Sequence, residues 1–436
     1  MSSGGSRRTH GPSVWGLALE GAFAVLAAEQ SPAASPPSEG IGWISTWSTA
    51  EQLTPEVTPP WVRPPPKADA HSPILPLPEK LADQTVRMVA RTTIGGDQVR
   101  VQLSNAQGYA PITIGSAHMA LHDHGSSIVA DTDRVVTFGG RSTIQIPPGA
   151  IVVSDPISLK IASMTTLAIS LYVPGRVTQL TTHQLGLHTS YVVTGDATAA
   201  PALHNASENS SYFWLTGIEV TAPLRSQLIL AFGDSITDGY ATAPNADRAW
   251  PSQLYERIRA TPGGNLWAVA NLGISGNRVL HDGIAASALA RFDRDVLSRP
   301  GARWIVFLEG INDISFPAMP EAPQEDHISA EDLIAGYREF IDKAHIHGIK
   351  IMGGTLLPWE GVWTFTANGE AIRQRVNQWI RTSGAFDCIV DFDAVTRDPT
   401  RPTRLRPEFD SGYHVHPNDA GNRAMADAID LSVFKK

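Results

Sequence analysis

Ser226-Gln-Leu-Ile-Leu-Ala-Phe-Gly-Asp-Ser-Ile-Thr-Asp-Gly239 decides how the second half of this chain is read. The apolar run 228–232 has the length of a buried strand, and Gly233-Asp234-Ser235 stops it in a turn. A serine placed there emerges at the carboxyl edge of a parallel sheet, where open α/β folds keep their ligand crevices. A helix following the turn would set unpaired N–H groups and a positive dipole end beside the hydroxyl. Taken alone, Gly-Asp-Ser is also an ordinary loop sequence.

Outward from that stretch, apolar runs alternate with amphipathic ones. Strands are predicted over 228–232, 266–271, 304–308, 350–355 and 389–392, and helices over 250–261, 285–297, 330–347, 371–383 and 420–434. Alternation at these lengths predicts a parallel sheet covered by helices on both faces. Before residue 224 the pattern is different. Short runs at 86–94, 98–103, 111–117, 134–138, 151–161, 166–173 and 212–220 are separated by Gly, Pro, Asp and Asn. Many short strands at this spacing predict a β-sandwich, with 41–47 as a further strand and a hairpin about Gly95-Gly96. Residues 53–78 hold nine prolines and read as a long extended loop. The expected organisation is a leader over 1–40, a β-sandwich domain over 41–224 and an α/β domain over 225–436.

The chain has 436 residues, 42% hydrophobic and 18% charged, which is the composition of a globular protein with room for two cores. A net charge of −9 gives no basic footprint for nucleic acid, and no apolar stretch reaches bilayer length. The single cysteine, Cys388, lies in an apolar run and reads as a buried, inert thiol. Arg7 and Arg8 ahead of the apolar stretch 14–28 resemble a secretory signal, and the sequons at Asn205 and Asn209 lean toward export; Glu20 counts against it. Secretion and a cytoplasmic chain with an unstructured leader both stay open. His118, His122 and His124 lack supporting cysteines and read as packed or solvated histidines, so no metal or organic cofactor is expected.

Four blocks of the second half supply complementary parts of one acyl-transfer site: Gly233-Asp-Ser235, Asn271-Leu-Gly-Ile-Ser-Gly276, Gly310-Ile-Asn-Asp313 and His414-Val-His-Pro-Asn-Asp419. An alcohol nucleophile needs a base near neutral pH, and the tetrahedral intermediate needs uncharged donors for its oxyanion. Ordered in this way, the blocks resemble the SGNH (GDSL) hydrolase superfamily over roughly 226–434. Phrases such as Ala290-Arg-Phe-Asp-Arg-Asp295 and Gly353-Gly-Thr-Leu-Leu-Pro358 are similar to its arylesterase and xylan-esterase subgroup, members of which carry a β-sandwich ahead of the hydrolase domain. The resemblance implies a flavodoxin-like three-layer α/β/α fold with Ser235 as nucleophile and His416 as general base. It further implies an oxyanion hole built from the N–H groups of Ser235 and Gly276 and the side chain of Asn312.

One position departs from the family pattern, which has an aspartate three residues before the catalytic histidine; here it is Tyr413. Three readings follow: a dyad with a backbone carbonyl orienting His416, an altered loop that lets Asp410 or a carboxylate further away reach it, or an impaired site. A working but compromised dyad is favoured. Trp359, with Trp363 and Phe365, is expected either to line an acyl or sugar pocket or to pack in the core, and His414 to line the pocket. Function is therefore expected to be esterase action on a small-molecule or carbohydrate ester of short acyl type. The alternatives are an acyltransferase, or a carbohydrate-binding or scaffold protein with a decayed site.

Overall fold

A computed structural model describes residues 40–54, 56–59, 61 and 74–435. The leader expected over 1–40, with its signal-like stretch, lies outside them apart from Gly40, as does most of the proline-rich loop. Residues 40–436 form one compact unit.

The first half is built from strands β1 (Ile41–Ser48), β2 (Gln84–Arg91), β3 (Gly96–Ser104), β4 (Ser116–Leu121), β5 (Thr166–Val173), β6 (Ser190–Thr194) and β7 (Leu215–Pro223). One sheet runs β1-β7-β3 and ends on Ile151–Val153, with Ile157–Ile161 also paired to β3. The other runs Ser207–Asn209, β6, β2, β5, β4 and Arg134–Val135. Val99, Val101 and Leu103 of the first sheet share a buried core with Val86, Met88 and Ala90 of the second, as the strand period of two requires. The outer face of β2 is unusual. Arg87 is fully buried there, donating to Ser170 Oγ and to the carbonyls of Ser126, Thr198 and Ala200.

Two expectations for this half need correcting. The runs flanking Gly95-Gly96 are not a hairpin, because β2 and β3 belong to opposite sheets. Both carry an apolar face, and facing each other across the sandwich buries both faces. The glycines let the connection cross tightly: a Cβ at Gly95 would lie 2.2 Å from the Ile161 carbonyl oxygen. The run 151–161 is two strands broken at Ser154-Asp155-Pro156, where Ser154 Oγ accepts the Val101 N–H in place of a ladder partner.

The second half has five parallel strands: β8 (Gln227–Gly233), β9 (Trp267–Gly273), β10 (Ala302–Leu308), β11 (Lys350–Gly354) and β12 (Cys388–Val390). Their spatial order is β9-β8-β10-β11-β12, the flavodoxin-like 2-1-3-4-5 arrangement. Helices α1 (Ser235–Asp238), α2 (Trp250–Arg259), α3 (Ala330–Ile346), α4 (Ala367–Thr382) and α5 (Asp419–Ala428) connect or follow these strands. Ser329 and Asp332 cap α3 reciprocally, while Thr366 and Asn418 cap α4 and α5. The helix expected over 285–297 is Ala288–Phe292 followed by a π-helical turn, Asp293–Leu297. Among the described residues no helix is long and apolar enough to cross a membrane.

The halves meet through buried polar contacts. Arg299 donates to Gln102 Oε1 at 2.7 Å and to the Thr49 carbonyl at 3.1 Å, and Tyr255 donates to the Thr93 carbonyl at 2.6 Å.

Candidate active site

Strand β8 ends at Gly233, and only glycine fits there: a Cβ would lie 2.2 Å from the Leu308 carbonyl oxygen of the adjoining strand. Asp234 then caps α1 by accepting the Ile236 N–H at 2.9 Å, which puts Ser235 at the first position of the helix. Its hydroxyl is 2.8 Å from His416 Nε2. The Ser235 N–H, an unpaired first-turn donor, has no acceptor among the described residues.

His416 stands in the loop before α5. Its carbonyl accepts Ser411 Oγ–H at 2.7 Å, and the residue 410–417 bridge closes that loop. The ring of Tyr240 lies 4.5 Å from the imidazole at a 36° tilt, and Tyr413 meets it edge-on at 5.8 Å. Nδ1 is buried and has no hydrogen-bond partner among the described residues. Asp410 does not reach it. That carboxylate accepts from His414 Nδ1 at 2.7 Å and from the N–H groups of Gly412 and His414. Among the described residues neither a backbone carbonyl nor Asp410 therefore orients His416, whose ring contacts are the Ser235 hydroxyl and the two tyrosine rings. Burial pushes its pKa down to about 4, against the weaker upward pull of the Asp410 charge.

The loop after β9 adopts φ +78° at Gly276, where a Cβ would strike Ile284 at 2.4 Å. Its N–H has no acceptor among the described residues. Asn312, at the start of a short helix after β10, spends one amide hydrogen on the Asn277 carbonyl at 2.9 Å, leaving the other available. Asp313 accepts the N–H groups of Val279 and Leu280, tying the same two loops together. Burial pushes the Asp313 carboxyl up to about 6. The Asp234 carboxyl is raised to about 7, by burial and by the charges of Asp313 and Asp238, and Glu309 is raised by burial and by the charge of Asp234. Both Glu309 oxygens and Asp234 Oδ2 are buried without a hydrogen-bond partner among the described residues, and the Arg291 guanidinium lies 3.8 Å from Glu309.

The pattern of residue types missed Arg291. This guanidinium is fully buried and donates to the carbonyls of Gly233 and Leu272 and to Asn277 Oδ1, joining the ends of β8 and β9. It also stacks 3.7 Å from the Phe232 ring. Its signal was an arginine among apolar residues in a helical run. Of the two readings of Trp359, lining a pocket or packing in the core, the structure takes the second. Trp359 is fully buried, donates to Glu370 and packs on Phe365, so it belongs to the core; Trp363 is the exposed member of that cluster. His414 is half exposed, with φ +64°, and pairs with Asp410. An open groove of about 1020 Å³ lies beside Tyr413, between residues 241–244 and 418–420. Among the described residues no group of three or more His, Cys, Asp or Glu could hold a metal ion.

Residues 231–424 match the model of the GDSL-like lipase/acylhydrolase family. No curated protein matches the chain. Among solved structures it is similar to the M. smegmatis aryl esterase, at 14% identity and TM-score 0.38 over 48% of this chain and 99% of that one. A mutant acetyl-xylooligosaccharide esterase from Geobacillus gives 23% identity and TM-score 0.37 over 46% of this chain and 91% of that one. A GDSL-like lipase from Bacteroides thetaiotaomicron gives 19% and 0.36 over 48% and 88%. Residues 231–424 are thus a GDSL-like lipase/acylhydrolase domain within the second half of the chain.

Proposed function

We propose that this acylhydrolase domain is a serine esterase that cleaves short-acyl carboxylic esters, acetyl esters among them, through an acyl-enzyme on Ser235. The observation that carries the reading is the 2.8 Å approach of Ser235 Oγ to His416 Nε2. Burial keeps that imidazole neutral near pH 7, so Nε2 has a lone pair to accept the serine proton. As Oγ attacks the ester carbonyl carbon, charge moves to the carbonyl oxygen, and the N–H groups of Ser235 and Gly276 and the second amide hydrogen of Asn312 are its donors. The imidazolium then protonates the departing alkoxide. Water attacks the acyl-enzyme by the same route in reverse.

Taking the proton converts His416 to a cation whose Nδ1–H faces no acceptor among the described residues. The Tyr240 ring, 4.5 Å away, and the Asp410 charge compensate it in part, a ring face over a cation contributing about 0.5–2 kcal/mol. That is less than an orienting carboxylate supplies, so turnover is slow for the family. Hydrolysis of p-nitrophenyl acetate by the purified chain and by Ser235→Ala tests the reading. The native chain should turn over and the variant should not; equal rates eliminate the proposal. The unpartnered Nδ1 favours one rival, a carbohydrate-binding protein with a decayed site. Product analysis with a competing alcohol separates hydrolysis from acyl transfer at the same serine.

A further inference from the structure

We propose that His183, contributed by the β-rich half, is a positioning residue for the esterase site and acts there as a doubly protonated imidazolium. The inference rests on the esterase reading for its consequence, but its starting point is geometry alone. His183 Nδ1 lies 2.8 Å from the Ala50 carbonyl oxygen. Its Nε2 lies 3.1 Å from Asp238 Oδ1 and 3.0 Å from the Leu185 carbonyl oxygen. Carbonyl oxygens accept and never donate, so each ring nitrogen needs a hydrogen of its own. A neutral imidazole has only one, and would set a bare lone pair against a carbonyl or a carboxylate inside the protein. Only the cation satisfies every contact.

The cation acts on the site through Asp238. That carboxylate is the last residue of α1, the helix Ser235 opens, and its Oδ2 accepts both the N–H and the hydroxyl of Ser275, at 2.9 and 2.8 Å. Ser275 immediately precedes Gly276. The neighbouring backbone is already at closest approach, since a Cβ at Gly273 would lie 2.2 Å from the Asp238 N. His183 and Asp238 are both buried. An uncompensated Asp238 carboxylate there would be costly, and the loop carrying Gly276 would relax toward solvent. Charge from the β-rich half thus holds one oxyanion donor in register with the nucleophile.

The other groups about the ring fit this account. Tyr212 stacks beside it at 6.3 Å and sends its hydroxyl to the Val89 carbonyl. A small cavity alongside is lined by Arg91, His188 and Asp247, and Asp247 pairs with Arg91 at 2.7 Å and with His188 at 3.0 Å. Burial opposes the charge on His183, but Asp238 and the carbonyls outweigh it and raise the pKa. The linkage sign follows: the contact is intact at low and neutral pH and is lost as pH rises through that raised value.

The test has two arms. In the intact, 15N-histidine-labelled chain, NMR should find both His183 nitrogens protonated at about pH 7.5, above the ordinary histidine value. The ring is assigned through its proximity to Tyr212. A neutral ring at that pH overturns the proposal, and this arm needs neither a variant nor activity. In the second arm, His183→Gln keeps one donor toward Asp238 without charge. It should lower kcat for p-nitrophenyl acetate about 100-fold with KM nearly unchanged, the size expected of a misplaced donor, and should remove a step from the alkaline limb of the pH profile. Unchanged kcat and pH profile in His183→Gln, with Ser235→Ala inactive, overturns the positioning role. Activity in Ser235→Ala equal to the native chain is a failure of the esterase reading itself, and the positioning role falls with it.

Discussion

His183 and His416 are two imidazoles that meet opposite ends of α1, and the molecule treats them in opposite ways. His183 meets acceptors on both nitrogens, while His416 has one hydroxyl at Nε2 and no partner at Nδ1 among the described residues. Burial discourages charge on both. Three oxygen acceptors reverse that effect at His183 and raise its pKa; at His416 nothing comparable does, and its pKa falls to about 4. Burial alone therefore does not set a histidine's role; the lone pairs that face it do. A cation at His183 suits a fixed electrostatic strut, and a neutral ring at His416 suits a proton acceptor.

The largest expected effect comes from deleting the neutral member. His416→Ala should lower kcat for p-nitrophenyl acetate by about 10⁴-fold or more, because without it the serine has no base. A smaller effect should follow Asn312→Ala, about 100- to 1000-fold in kcat, measured on the same substrate. Giving His416 what His183 already has sharpens the contrast. Tyr413→Asp should raise kcat about tenfold and move the acid limb of kcat/KM upward in pH, because a carboxylate near Nδ1 favours the imidazolium. No shift in that limb would mean the new carboxylate fails to reach the ring.

The smallest effect is on stability. His416 is harder to protonate folded than unfolded, so it should cost stability as pH falls from about 6.5 toward 4. His183 has the opposite sign, and its stabilisation should fade as pH rises through its raised pKa. Urea unfolding of the native chain against His183→Gln and His416→Gln should separate the two limbs.

Period and length made both halves of the fold legible: short alternating runs to residue 224, then apolar strands alternating with amphipathic helices. What escaped was set by tertiary choice. Two strands flanking Gly95-Gly96 pair as readily in a hairpin as across a sandwich, and only the face-to-face burial of Val86, Met88, Val99 and Val101 decides. At the site, the approach of Ser235 to His416 was legible because each lies in a block, Gly233-Asp-Ser235 or His414-Val-His416, that the family resemblance singles out. The fate of Asp410 was not, since local spacing cannot say which of His414 and His416 a carboxylate will take. The place of Trp359 stayed open because an aromatic cluster after a strand end suits a wall or a core equally, and its burial decides for the core. His183 and Arg291 escaped because their contacts join segments separated by 55 and 58 residues.

The central claim is that a neutral His416 makes Ser235 nucleophilic, and covalent labelling by a fluorophosphonate, with the modified peptide located by mass spectrometry, tests it most directly. The native chain should carry the label on Ser235, and His416→Ala should label far more slowly. A label elsewhere, or equal labelling of the two chains, would contradict the account.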